Sequence, residues 1–310
     1  MIPRPRPTAL LPALLLLVAC ADPGPGERAA ASSPDRPVAL VTGSTDGLGR
    51  ELALHLASEG WHVIVHGRSL ERGAEVVRLI EEGGRGSARF IPADLAILDE
   101  VRHLATAVAE TSDRLDLLVN NAGIGPGAPG HERVVTPDGH ELRFQVNYLS
   151  GFLLTRMLLP LLLDSSPSRV LNVASRRQEP LDFDNLDLAE GYSGGRAYGQ
   201  SKLAQILFTY DLAATLEGTG VEVRAVHPAP AMDTGLVRET GSQPASTVDD
   251  GLRALLATLE HEGPGGPWFF EGTPADPHPD ALDPAIRERL RILSEELTAA
   301  PPVPSPAPGR

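Results

Sequence analysis

The sequence has few cysteines, lysines and aromatic residues, and the first two shortages bear directly on its chemistry. A single cysteine, Cys20, allows neither an intrachain disulfide nor a cysteine-based zinc site. No H-E-x-x-H motif and no paired C-x-x-C motif occurs, so the sequence predicts no metal centre. The formal net charge of -14 makes nucleic acid a poor partner. Lysine occurs once, as Lys202, and the other basic residues among the 27 Lys and Arg are all arginine.

The first 35 residues differ in composition from the rest of the chain. Arg4 and Arg6 precede an apolar run over residues 9–19, which is too short to span a bilayer as a helix. The run ends in Leu17-Val18-Ala19-Cys20, which resembles the lipobox of bacterial lipoproteins and implies a lipid anchor at Cys20. Residues 21–34 have the composition of a flexible tether. The alternative is that the true start lies after this segment, which would make the protein cytoplasmic.

The remaining sequence predicts one α/β core. The core begins with a strand, a glycine turn and a helix. Val38–Val41 predicts a buried strand, and the apolar spacing from Leu48 predicts an amphipathic helix. Gly43 permits a positive φ, Gly47 lets backbone approach a pyrophosphate, and Gly49 lets helix and strand pack closely. The helix N-terminus offers free N–H groups to a phosphate. A tight turn without a ligand is the alternative for a bare glycine pattern.

With Thr42 in front, the pattern T-G-x-x-x-G-x-G resembles the cofactor loop of the short-chain dehydrogenase/reductase family. The resemblance implies one doubly wound Rossmann-type domain over residues 36–300, with a parallel sheet of about seven strands. The Pro-rich residues 301–310 are then a disordered tail. The residues of the loop that the resemblance assigns to a nicotinamide dinucleotide are Thr42, Gly43, Ser44, Asp46, Gly47, Leu48 and Gly49.

The end of the second predicted strand bears on the choice of nucleotide. An acidic residue at this place selects NAD through the ribose 2′-OH. The strand ends instead in His66-Gly67-Arg68, and a guanidinium can pair a 2′-phosphate in bidentate fashion. We therefore predict a preference for NADP(H), with NAD(H) left open. The alternative for Arg68 is a solvated surface side chain.

Two further segments are assigned to the cofactor. Asp94 and Leu95 follow the third predicted strand, where Asp94 is expected to cap a helix and, by resemblance, to lie against the adenine. The fourth predicted strand ends in Asn120-Asn121-Ala122-Gly123, which resembles the family's N-N-A-G signature. The resemblance makes Asn121, Ala122 and Gly123 mainly a brace for the sheet that borders the nicotinamide.

The strongest chemical signal is Tyr198 four residues before the only lysine. Residues at this spacing share one face of a helix. A phenol has a pKa of about 10, and a nearby ammonium lowers it toward neutrality. Ser175 directly follows the fifth predicted strand, and Asn147 lies near the start of an apolar helix predicted over residues 146–159. Ser175 thus stands at the carboxyl edge of the sheet, where open α/β sheets bind ligands.

Asn147, Ser175, Tyr198 and Lys202 match the family's catalytic tetrad position by position. The match implies that Tyr198 exchanges the proton, Ser175 stabilises the carbonyl oxygen, Lys202 tunes Tyr198 and holds the nicotinamide ribose, and Asn147 positions a relay water. Several stretches, including Arg196-Ala197-Tyr198, resemble the retinol-dehydrogenase-like branch. That branch implies a small hydrophobic aldehyde, ketone or alcohol as substrate.

The segment after the sixth predicted strand departs from the family. Pro228 and Thr234 are assigned to the cofactor by resemblance, but Ala229 stands where the family has glycine. The added methyl group restricts φ and puts the seating of the nicotinamide in question. Ala229 is the one feature that favours a rival hypothesis, a non-catalytic nucleotide-binding sensor or scaffold. A lipoprotein that binds a lipid-like ligand is a third hypothesis. The apolar helix after Asn147 either forms a homo-oligomer interface or packs inside.

Overall fold

The computed structural model describes residues 36–304 and contains one open, twisted sheet. The predicted anchor at Cys20 therefore lies outside the described residues. The sheet has the order β3-β2-β1-β4-β5-β6-β7-β8, and all neighbouring strands are parallel except β7 and β8. The strands are β1 Val38–Val41, β2 His62–Gly67, β3 Ser87–Pro92, β4 Leu117–Asn120, β5 Ser168–Val173, β6 Val221–His227, β7 Trp268–Phe270 and β8 Thr273–Pro274.

Helices cover both faces of this sheet, as the doubly wound prediction requires. They are α1 Gly47–Ser58, α2 Leu70–Gly83, α3 Leu98–Thr111, α4 Leu142–Asp164, α5 Gly194–Thr215, α6 Gly235–Arg238, α7 Val248–Glu260 and α8 Pro284–Thr298. The α/β fold is confirmed, and the predicted seven parallel strands are joined by the two-residue antiparallel β8.

Strand β1 is apolar along its length because each side of the sheet buries a separate core. In β1, Val38 and Leu40 join one cluster, while Ala39 and Val41 join the other. This alternation follows from the period-two geometry of a strand. A strand covered on both faces shows no polar alternation, which is why Val38–Val41 is a continuous apolar run.

The helix that carries Asn147 starts earlier than predicted. It begins at Leu142, because the Glu141 carboxylate accepts hydrogen bonds of 2.8 Å from the backbone N–H groups of Arg143 and Phe144. A π-helical turn over Gln145–Leu149 contains Asn147. The predicted start at residue 146 was wrong, since Glu141 is a less common cap than Ser, Thr, Asp or Asn.

Helix α4 is long and apolar enough to cross a membrane, and it alone meets that test among residues 36–304. Its apolar window is 72% buried within the domain, so α4 packs here as a core helix. Tyr148 on α4 is hydrogen-bonded to Ser294 on α8 at 2.6 Å. Arg156 on α4 donates to the Pro301 carbonyl at 2.6 Å, so the first residue of the predicted tail contacts the domain.

Candidate active site

The glycine turn after β1 has the backbone geometry that the sequence predicts. Gly43 and Gly47 have φ values of 66° and 52°, which lie in the left-handed region that favours glycine. A Cβ on Gly49 would overlap the Asn121 amide and the Gly43 carbonyl, so only glycine allows this close packing. Helix α1 starts at Gly47, where the Asp46 carboxylate accepts from the Gly47 N–H at 2.8 Å. The Leu48 side chain lies in the core, which leaves only its backbone for a ligand.

Thr42 and Asn121 join the ends of β1 and β4, the point where the strand order reverses. The Thr42 hydroxyl accepts from the N–H groups of Asn121 and Ala122, both at 3.0 Å, and donates to the Val119 carbonyl. The Asn121 amide donates to the Thr42 carbonyl at 2.8 Å. These bonds hold open the crevice in which doubly wound sheets bind ligands.

Arg68 lies beside Asp94 at the outer end of the crevice. The two side chains form an ion pair of 3.7 Å, and the Arg68 side chain is 75% exposed. Asp94 does not cap α3 as predicted, because α3 begins at Leu98 with Ile97 at the cap position. Its carboxylate instead accepts from the Ala96 N–H at 3.0 Å, which forms a local turn. The Leu95 side chain is buried in the core.

His66 is a polar residue of the crevice for which no role was predicted. Its Nδ1 accepts from the Gly43 N–H at 3.1 Å, which ties the end of β2 to the glycine turn. Its Nε2 is buried without a partner among the described residues. Burial lowers the pKa of His66 to about 4, so the ring is neutral near pH 7. The signal was its place at the strand end, next to Gly67.

The glycine turn offers donors that a pyrophosphate needs. A cleft of about 540 Å³ opens at the start of α1, and its lining includes Thr45, Gly47 and Arg72 together with carboxylates such as Asp46 and Asp233. Thr234 lies on the other side of the glycine turn, since a Cβ on Gly47 would be 3.4 Å from its methyl group. Close backbone approach at Gly47 and a helix N-terminus fit a pyrophosphate. The residues present therefore fit a dinucleotide cofactor.

Ser175 and Tyr198 meet beyond the end of β5. Ser175 is 7% exposed and follows the strand by two residues, while Tyr198 lies in the second turn of α5. The helix begins at Gly194 with Ser193 as its cap, so Tyr198 and Lys202 lie on one helix as the spacing predicts. Burial raises the pKa of the Tyr198 phenol, and its hydrogen bond to Ser175 and the charge of Arg177 offset only part of this rise.

Lys202 is buried one helical turn after Tyr198. Its ammonium lies 5.7 Å from the centre of the Tyr198 ring. It donates to the Val173 carbonyl and to the Gln205 side chain, both at 2.8 Å. Burial lowers the pKa of Lys202 to about 7. Gln205 was not among the predicted site residues, and its signal is its position three residues after Lys202 on the same helix face.

Asn147 completes the group from the π-helical turn of α4. Its carbonyl oxygen accepts from the Ile124 N–H at 2.7 Å, and its amide donates to Ser201 at 2.9 Å. Gly123 lies between Asn147 and Lys202, because a Cβ there would be 3.3 Å from the Asn147 oxygen and 3.6 Å from the Lys202 nitrogen. The structure therefore brings all four predicted catalytic residues to one edge of the sheet.

The segment after β6 supplies a second buried histidine. His227 is 6% exposed, packs against Phe270 with tilted rings whose centres are 5.0 Å apart, and has no described partner for Nε2. Burial, with the charges of Arg176 and Lys202, lowers its pKa to about 4. Pro228 and Ala229 follow it, and Ala229 does not have a positive φ. The residue of this segment with a positive φ is Ala231, at 39°. The methyl group of Ala229 therefore causes no backbone strain.

Comparison with known proteins agrees with this geometry. The profile of the short chain dehydrogenase family matches residues 37–245. Bovine dehydrogenase/reductase SDR family member 13 is 42% identical over 261 residues, which cover 83% of this chain and 64% of that protein. Human retinol dehydrogenase 13 is 40% identical over 282 residues, which cover 83% of each chain.

Solved structures are similar over most of the chain. A crystal structure of an uncharacterised protein from Mycobacterium paratuberculosis has a TM-score of 0.69 and 30% identity, and the match covers 86% of this chain and 94% of that one. A short chain dehydrogenase from Shigella flexneri complexed with NADP has a TM-score of 0.60 and 26% identity, with coverage of 76% and 96%.

The doubly wound sheet, the crevice and the family match define the class of protein. The chain belongs to the short chain dehydrogenase family, and it is a nicotinamide-dependent oxidoreductase acting on alcohol and carbonyl groups. Its relatives place it in the retinol-dehydrogenase-like branch of that family.

Proposed function

We propose that the protein is an NADP(H)-preferring reductase or dehydrogenase in which Tyr198 is the general acid and base. The observation that carries this proposal is the proximity of three groups beyond the end of β5. They are the Ser175 hydroxyl, the Tyr198 phenol that it hydrogen-bonds, and the buried Lys202 ammonium one turn further along the helix, which lies beside Gly123.

The side chains divide the proton chemistry between them. When bound, the cofactor supplies or accepts the hydride at the carbonyl carbon. Tyr198 donates its proton to the developing alkoxide, and Ser175 donates a hydrogen bond to the same oxygen. Because burial raises the pKa of Tyr198, ionisation of the phenol needs a positive charge close by, and Lys202 provides it when protonated. Asn147 holds the loop at Ile124 that borders this site.

The cofactor would lie along the crevice from Arg68 to Lys202. The glycine turn and Thr234 would hold the pyrophosphate, and Asp94 would lie toward the adenine. Arg68 supports the preference for NADP(H), since it is exposed at the end of β2 and no carboxylate belongs to that strand end. A 2′-phosphate there would compete with Asp94 for the guanidinium.

The proposed substrate is a hydrophobic aldehyde, ketone or alcohol. The name of the human relative, a retinol dehydrogenase, supports this class. The loop between Ser175 and α5 also supports it, because it contains Leu181, Phe183 and Leu186, which are only partly buried against the core. We keep lipidation of Cys20 as a separate proposal, since a fatty-acid label lost in Cys20→Ala is its direct test.

A reductase assay tests the proposed chemistry. The full-length protein is incubated with NADPH and a set of hydrophobic aldehydes, and loss of NADPH absorbance is followed. We expect Tyr198→Phe to reduce kcat about 10³-fold. The matched control is Tyr210→Phe, on the same helix but three turns away. Cofactor binding without turnover of any aldehyde would favour the non-catalytic sensor, and full activity of Tyr198→Phe would contradict the role of the phenol.

A further inference from the structure

Two arginines directly follow Ser175 at the open side of the candidate active site. Arg176 and Arg177 are both exposed. The backbone N–H of Arg177 donates to the Ser175 hydroxyl at 3.1 Å, so this turn is fixed to the proposed catalytic serine. The two charges stand out in a chain whose formal net charge is -14.

Neither guanidinium has a carboxylate partner. Within residues 36–304, no ion pair and no side-chain hydrogen bond forms at Arg176 or Arg177. The other arginines around this opening are engaged. Arg196 pairs with Asp182 at 2.8 Å, and the buried Arg143 is bonded to Glu141 and to the Tyr192 hydroxyl. The pair after Ser175 therefore presents free positive charge.

Arg177 lies close to the proposed proton donor. The Arg177 guanidinium lies against Gly195 in the first turn of α5, where a Cβ would overlap it, and Tyr198 follows one turn later on that helix. Arg177 is near enough for its charge to lower the pKa of Tyr198. Arg176 acts in the same way on His227, whose buried Nε2 has no partner among the described residues.

We propose that Arg176 and Arg177 select substrates that carry an anionic oxyacid group, a carboxylate or a phosphate, near the reacting carbonyl. This inference rests on the proposed reductase function and narrows its substrate class. A guanidinium binds such a group through two parallel hydrogen bonds. The positive charge of the two arginines also attracts an anionic substrate to the site, whereas the net negative charge of the protein repels anions elsewhere. The substrate would then be amphipathic, with its apolar part on the loop of Leu181 and Phe183.

The test compares aldehydes that differ in charge but little in shape. The full-length enzyme with saturating NADPH reduces 4-carboxybenzaldehyde, 4-formylphenyl phosphate and neutral 4-methylbenzaldehyde. The measured quantity is the ratio of kcat/KM for each anionic aldehyde to that for the neutral one. The variants are Arg176→Gln/Arg177→Gln and the charge-retaining Arg176→Lys/Arg177→Lys. Arg78→Gln/Arg85→Gln is the matched control. It also removes two exposed arginines, one on α2 and one just after that helix.

We expect the ratio to fall about 10-fold in the glutamine variant and less than about twofold in the control. The lysine variant should retain most of the preference, and added salt should weaken it in the wild type. The larger of the two anionic ratios identifies whether carboxylate or phosphate fits better. An equal ratio in the wild type and the glutamine variant would overturn the proposal and leave the reductase function intact.

A binding measurement separates this proposal from failure of the reductase function itself. If no form of the enzyme reduces any aldehyde, titration of the NADPH-loaded protein with benzoate still tests the arginines. Affinity about 10-fold weaker in Arg176→Gln/Arg177→Gln than in the control would support them. The same affinity in both variants would overturn them.

Discussion

The two halves of the candidate site differ in how their polar groups are held. At the glycine turn, the hydroxyls of Thr42 and Ser44 and the Asn121 amide are all hydrogen-bonded within the protein. At the catalytic end, Arg176 and Arg177 are unpaired and His227 leaves Nε2 without a described partner.

His66 is the exception in the first half, since its Nε2 is also unpaired among the described residues. The proposed cofactor half therefore has most of its polar groups paired within the protein, whereas the proposed catalytic half keeps a buried lysine and unpaired donors. Such groups cost stability, and enzymes retain them where function needs them. Each prediction below tests one side of that contrast.

The largest effect is expected at Lys202. Lys202→Met should lower the reductase kcat about 10³-fold, because the phenol loses the charge that favours its ionised form. Burial lowers the pKa of Lys202 to about 7 from the ordinary lysine value of 10.5. The unfolded chain therefore binds more protons between these values, and wild-type stability should rise with pH across that range.

Lys202→Met should lack that rise in stability. Urea unfolding at pH 6 and pH 9 measures it, and Lys202→Arg tests whether a planar guanidinium can replace the compact ammonium. Parallel pH profiles of wild type and Lys202→Met would show that the buried ammonium carries no such cost.

The second prediction concerns the rigid half. Gly49→Ala should destabilise the fold by about 2 kcal/mol, because its Cβ would overlap Asn121 and the backbone of Gly43. The matched control is Gly83→Ala at the end of α2, where a Cβ would meet no atom within 4 Å. Thermal unfolding compares the two variants. An equal small effect at both positions would mean that the glycine turn adapts and is not a fixed scaffold.

The same contrast explains how much of the molecule the sequence could predict. The glycine turn and the strand ends depend on backbone conformation and on residues that are close in sequence. Their structure can therefore be predicted from the local sequence pattern. The start of α4 depends on a buried Glu141, and the role of Asp94 depends on where α3 begins, and neither is encoded in local spacing. Tyr198 and Lys202 were found because helix periodicity joins them. No spacing pattern pointed to His227, Arg176 or Arg177. Their burial or lack of an ion-pair partner depends on side chains that are distant in sequence.

The third prediction uses one histidine from each half. Burial lowers the pKa of both His66 and His227 to about 4 from the ordinary histidine value of 6.5. The unfolded chain takes up protons first as pH falls, so each histidine should cost about 2 kcal/mol of stability by pH 5. Urea unfolding at pH 7 and pH 5 should show a smaller loss in His66→Gln and in His227→Gln than in the wild type. His131→Gln, at an exposed histidine, is the control. Losses in all three variants equal to that of the wild type would contradict the assignment.

The smallest effect is expected at Arg68, at the outer end of the rigid half. The side chain is 75% exposed and its partner Asp94 lies 3.7 Å away, so solvent weakens any contact that it makes. Arg68→Gln should lower the preference for NADPH over NADH, measured as the ratio of their dissociation constants, by about 10-fold. Arg78→Gln, which removes an exposed arginine from α2, is the matched control. Arg72 lies one turn further along the chain and pairs with Asp46 at 3.3 Å, so Arg72→Gln is measured in parallel. A loss of preference in Arg72→Gln but not in Arg68→Gln would move the proposed phosphate contact onto α2. In that case Arg72 would have to break its ion pair with Asp46 before it could bind the 2′-phosphate.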